Sequence, residues 1–263
     1  LTNNSKMVLG KKLFQIFALV DFGDVKAGSL GGYIEKEENL SQCGESWVYN
    51  NAMVYDNAEV YDNAKVYNNA QVHGNAKVCN GAKVYGDAEV YDDAMVYDTA
   101  KVCGNANIYG HAQVYGDAMI YDGAVVCSNA LVHGNAMIHD YANVYGYANV
   151  HGNAEVKGCT YIYGNALVYG RAKICGNTKV FGSANVANDA IITSDADLLQ
   201  ITGLGSFHRT TTVYRTKNGI EIVCGCFCGD LERFRKQVVK TRKGKVRDEY
   251  LKFAELIEIY FRL

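Results

Sequence analysis

The sequence predicts an all-β solenoid, a triangular parallel β-helix over residues 48–200, with a small α+β domain behind it. Three observations carry this reading. An aliphatic residue recurs at every sixth position from Val48 to Ile192, twenty-five times without a break, and Leu198 continues the series. Four residues after each stands a small residue, Ala in twenty-three cases and otherwise Thr160 or Thr178. Two residues after each stands Gly, Asp, Asn or Ser, without exception. A strict short period is the mark of architectures in which each unit buries its apolar face on the next.

Taking the chain in order, residues 1–47 precede the repeat. A solenoid with a bare end would offer unpaired strand edges, so this stretch is expected to cap the first coil. Its apolar segment, Leu13–Val20, supplies strands for that purpose. The segment is interrupted by Gln15 and is too short to span a bilayer. No signal-peptide pattern is visible, and the expected compartment is the cytoplasm.

The repeat follows, with the unit Val-Tyr-Gly-Asn-Ala-Lys. In a strand, successive side chains point to opposite faces, so Ala and the aliphatic residue face in while Lys and Tyr face out. Gly, Asp and Asn tolerate the left-handed backbone that a corner needs. One unit is therefore one side and one corner, three units close a coil of eighteen residues, and residues 48–198 make about eight coils. The 27 Gly and the absence of Pro fit a chain of tight turns in which every backbone N–H is used. Small Ala beside branched Val or Ile fills a narrow interior and leaves no room for a ligand.

The aliphatic–small spacing resembles the hexapeptide-repeat left-handed β-helix proteins. The form it takes here, Asn-Ala-x-Val-Tyr-Gly, looks like the YdcK-like branch of bacterial and prophage-borne members. The lead-in Gly31-Gly32-Tyr33-Ile34, Glu38-Asn39-Leu40 and Trp47-Val48 resembles that branch too. The resemblance covers roughly residues 10–200. It implies the left hand of the helix, since parallel crossovers are otherwise right-handed. Its prophage association implies a phage accessory protein that inhibits a host defence factor.

The position after each aliphatic residue points outward, yet it holds thirteen Tyr, four His, four Cys and one Phe. Residues eighteen apart stack. One ladder is Tyr55, His73, Tyr91, Tyr109, Cys127, Tyr145, Tyr163 and Phe181. A second runs from Tyr61 through Tyr97, Tyr115, His133 and His151 to Tyr169, and a third begins at Tyr49. Stacked rings stabilise neighbouring strands. A contiguous aromatic face is also a surface for a protein partner or a second copy of the chain, and Tyr55, Tyr91, Tyr109, Tyr145, Tyr163 and Phe181 are the candidate contacts. Cys79, Cys103 and Cys127 fall on three different sides, so ladder disulfides are not expected.

Hexapeptide acyltransferases, which the resemblance brings in as the alternative, place a catalytic His beside a loop that breaks the repeat and work at a subunit interface. No loop interrupts Val48–Leu198. No nucleotide-binding glycine loop, nucleophile elbow or carboxylate pair is present either. Catalytic residues, cofactor and metal are therefore all assigned as none, and a non-enzymatic scaffold is the expected class.

Residues 201–263 change character. Thr211–Arg215 and Ile220–Cys224 flank Lys217-Asn218-Gly219, a hairpin signal. Asp230 reads as an N-cap before Leu231, Phe234 and Val238 on one helical face. A second helix over about 247–262 presents Tyr250, Ala254, Ile257 and Phe261. The expectation is a ββαα domain. Cys224, Cys226 and Cys228 alternate along a strand end, a spacing unlike a zinc knuckle. A basic run, Arg233, Arg235, Lys236, Lys240, Arg242, Lys243, Lys245 and Arg247, is either a solvated face or a phosphate or nucleic-acid contact. Residues 48–200 carry fifteen Asp/Glu against eight Lys/Arg, whereas residues 201–263 carry thirteen Lys/Arg against seven Asp/Glu. An acidic rod with a basic end can steer a charged partner.

Overall fold

A computed structural model of the protein describes residues 1–205 and 208–263. The repeat forms the rod that its period dictates. Short strands pair in parallel with partners eighteen residues on, as in Lys77 opposite Met95 and Val78 opposite Val96. They assemble into three sheets, two of nine strands and one of eleven. The two extra strands of the largest sheet, β1 (Ser5–Val8) and β2 (Lys11–Phe17), are antiparallel and lie at its N-terminal end.

At the corners from Asn50 to Asn188 the third residue of the unit takes positive φ, for example Asp56 at 60° and Gly74 at 68°. Many of these turns close by a hydrogen bond from the Ala N–H to the carbonyl three residues back, as from Ala58 to Tyr55 at 3.3 Å. The residue just past the corner donates to the next coil, Asn57 N–H to Gly74 O at 2.8 Å. Corner backbone groups are thus satisfied without loops. Inside, the aliphatic residues from Val48 to Ile192 are all fully buried, and so are the small residues between them. They form a single continuous core. Thr160 and Thr178 replace Ala without leaving a polar orphan, because Thr160 Oγ1 donates to Lys157 O at 2.7 Å and Thr178 Oγ1 to Cys175 O at 3.3 Å.

The rod has about nine coils rather than eight. The first is built by Leu30–Ile34, Leu40–Gly44 and Trp47–Val48, of which all but Val48 lie within the stretch assigned to the cap. The six-residue pattern is missing there because other contacts replace it. Gly31 and Gly32 run so close to Val48, Trp47 and Ala52 that a side chain would collide with them. Asn39, fully buried, accepts from Lys36 N–H at 3.0 Å and donates to Asp56 O and Ala58 O at 3.1 and 2.8 Å. Of the apolar segment, Leu13, Ile16 and Ala18 are buried, while Leu19 and Val20 face outward.

At the other end the series stops earlier than its spelling. Ala196 is exposed in a one-turn helix, Asp195–Asp197, and Leu198 opens a new sheet. That sheet has four antiparallel strands rather than two: β3 (Leu198–Leu204), β4 (Arg209–Thr216), β5 (Gly219–Cys224) and β6 (Phe227–Gly229). Helices α1 (Leu231–Thr241) and α2 (Gly244–Phe261) cover one face. The predicted hairpin is β4–β5, with Thr216 opposite Gly219. Asp230 caps α1 by accepting from Arg233 N–H at 2.7 Å. Phe234, Val238, Tyr250, Ala254, Ile257 and Phe261 are buried between sheet and helices.

The other face of the sheet closes the rod. Tyr214, fully buried, accepts from Ala187 N–H at 3.2 Å and donates to Glu221 at 3.0 Å. Thr212 Oγ1 accepts from Asn185 N–H at 3.1 Å. Arg215 bridges Asp197 at 3.2 Å and the carbonyl of Phe261 at 3.1 Å, which ties rod end, sheet and α2 together.

Candidate functional site

Three surfaces bear chemistry-carrying side chains. The first is the aromatic ladder, and its rings stack as their spacing requires. Tyr55, His73, Tyr91 and Tyr109 form a run of parallel rings with centroids 4.8–5.1 Å apart. After Cys127 the stack resumes through Tyr145, Tyr163 and Phe181, at 5.0 and 5.5 Å. Tyr55 is buried, Phe181 exposed, and the rungs between are half-buried. On the second side Tyr97, Tyr115, His133, His151 and Tyr169 stack without interruption. Burial holds the His133 and His151 imidazoles below their usual range. Where Cys79, Cys103 and Cys127 break a ladder, the Tyr one coil earlier bonds to the thiol. That hydrogen bond, with burial behind it, pushes Tyr61 and Tyr109 up to about 12. All nine Cys are free.

The second surface surrounds His139 on the third side. Its ring stacks on Tyr121 at 4.6 Å, with Nδ1 3.3 Å from Asp140 and Nε2 3.5 Å from Glu155. Asp122, His139 and Asp140 bring three donor atoms within 4.8 Å of one another. Lys157 lies 2.8 Å from Glu155, and Lys173 lies 3.6 Å from it. Asp140 is tied to the coil itself, because the N–H of Gly158 donates to it at 3.0 Å and lowers its pKa. These groups form a mixed ion-pair cluster on the rod surface, in which the ammonium groups oppose a cation.

The third surface is on the C-terminal domain, and here the structure divides the basic run. Arg235 pairs with Glu258 at 2.7 Å, Lys236 with Glu232 at 2.5 Å, Lys245 with Glu249 at 4.0 Å and Arg247 with Asp248 at 3.8 Å. These partners lie within the two helices, so the run does not lean on the acidic rod. Arg233, Lys240 and Arg242 make no ion pair among the described residues. Together with Lys236 they line a cleft of about 510 Å³ beside the β5–β6 turn, and Lys243 does not. Arg209, outside the predicted run, lines it too. Its guanidinium lies over Gly225, where any Cβ would collide with it. No carboxylate lines this cleft.

The three nearby cysteines do not share one side. The chain turns at Gly225-Cys226, so Cys224 faces the helices, bonded by Thr211 at 3.1 Å. Cys228 lies opposite Val223 on the rod side and bonds Glu221 at 3.0 Å. Burial and this carboxylate push its thiol up to about 11. The alternation expected along one strand is broken by the hairpin.

Among the described residues no helix is long and apolar enough to cross a membrane. Compared with known families, the chain matches the YdcK beta solenoid repeat at residues 58–74 and 112–128. No curated protein matches it.

Proposed function

Because this chain is a YdcK-like repeat β-solenoid protein, we propose that it acts as a non-enzymatic scaffold whose outer faces bind a protein partner. The observation that carries this reading is the combination of a filled rod and a stacked aromatic face. The inward positions leave no space for a substrate, and what the rod offers is surface. The face along Tyr91, Tyr109, Tyr145, Tyr163 and Phe181 is rigid and ring-rich, the composition favoured in protein interfaces, whereas Tyr55, buried at the N-terminal end of the same ladder, is closed to a partner. Each ring is already held by its neighbours, so docking orders few side chains. A second copy of the chain is one such partner. Inhibition of a host factor by a phage-borne protein is the narrower version and rests on the prophage resemblance alone.

The test uses the double variant Tyr109→Glu/Tyr145→Glu. It should still give a cooperative melt, lowered only by the lost ring contacts with Tyr91 and Tyr163, and it should lose the partner recovered by the parent from its native host, or the parent's own oligomeric mass. A parent that is monomeric and recovers no protein removes the proposal. Saturable binding of an acyl-CoA thioester would replace it with the acyltransferase reading.

A further inference from the structure

We propose that the cleft beside the β5–β6 turn is a binding site for a small phosphorylated molecule. This is independent of the rod face. Arg209 enters from the start of β4, Arg233 from the first turn of α1, and Lys240 and Arg242 from its end. These groups are far apart in sequence, and sheet pairing and helix packing bring them to one concavity. With Lys236 the lining holds five cations and no carboxylate. Lys236 is offset by Glu232, whereas Arg233, Lys240 and Arg242 have no carboxylate partner among the described residues. Such a set raises the local positive potential and is complementary to a phosphate, which guanidinium groups bind in fork geometry.

Two glycines shape the approach. Arg209 lies over Gly225, and a Cβ at Gly229 would come within 3.3 Å of Arg233 Nη1. The two guanidinium groups can therefore flank β6 closely. The rest of the wall is apolar, with Phe227, Val238 and the ring of Tyr250. A volume of about 510 Å³ suits a small ligand with an apolar portion. A nucleic-acid strand fits less well. It needs cations that track a backbone, and the run's outlying members are instead paired with helix carboxylates.

Calorimetric titration of the full chain with inorganic phosphate and with phenyl phosphate tests this. Both should bind and compete, phenyl phosphate the more tightly because its ring reaches the apolar wall. Lys240→Glu/Arg242→Glu should weaken both at least about tenfold, the scale of one lost charge-assisted hydrogen bond. Lys245→Glu, in the same run but outside the cleft, should bind as the parent does. Melting curves check folding, and the exposed single change Lys240→Gln replaces the double variant if that one unfolds. Absence of binding at millimolar phenyl phosphate overturns the proposal, as does an affinity untouched by the cleft variants. Equal loss in Lys245→Glu, with a single-stranded oligonucleotide bound more tightly than phenyl phosphate, would make the surface a nucleic-acid patch instead.

Discussion

Val114 has no solvent exposure and sits in a rung between Val96 and Val132, so its side chain meets only other core atoms. Val114→Asp places an unpaired carboxylate there, a change that costs more than a marginally stable fold holds in reserve. The expected result is loss of the cooperative melt. Lys101 points outward between Lys83 and Met119, and Lys101→Asp should alter stability by about 0.5 kcal/mol or less in a urea titration. Equal effects would refute the inward and outward assignment. The sequence marks this register plainly, because Ala and Val return at fixed offsets. It also marks Thr160 and Thr178 as exceptions but not their remedy, a hydroxyl bonded to the carbonyl three residues back.

Ladders and sheets are the next scale, and the ladder with two imidazoles in contact has a pH consequence. His133 and His151 stack at 4.8 Å, and burial lowers both pKa values from 6.5. The folded rod therefore binds fewer protons than the unfolded chain. Their contribution is complete above the unfolded value of 6.5 and is lost as the pH falls through it toward the lowered folded values. His133→Tyr/His151→Tyr continues the tyrosine stack. It should flatten the melting temperature between neutral and mildly acidic pH, with little change above neutrality. An unchanged pH slope would show that other groups govern acid sensitivity. At this scale the sequence is legible where the period rules and silent where it lapses. The first coil escapes because Gly31, Gly32 and Asn39 replace the repeat by close approach and hydrogen bonding. Two strands of the terminal sheet escape because Leu198–Leu204 reads as more rod and Phe227–Gly229 is short. The ring ladders follow from spacing alone. The basic cleft does not, since only tertiary pairing sets Arg209 beside residues of α1.

The molecule as a whole is a stack closed at both ends by non-repeating chain, and its length is set by the number of coils. Deleting residues 99–116 removes one complete coil and rejoins Asp98 to Asp117 with every inward position kept. That variant should fold, with its longest dimension in solution scattering shorter by about 5 Å, one strand spacing. Deleting residues 99–101 alone turns inward residues outward beyond the cut, and it should fail to give a cooperative melt. Tolerance of the shorter deletion would contradict the coil geometry. One further feature of this build concerns light. The single tryptophan, Trp47, is buried in the first coil against Phe22, with ring centroids 5.4 Å apart, whereas tyrosines run the length of the rod. Indole fluorescence therefore reports one end of the molecule, and the tyrosine signal in near-ultraviolet dichroism reports its body. Fraying from the N-terminal end would be visible as a difference in colour, without any label.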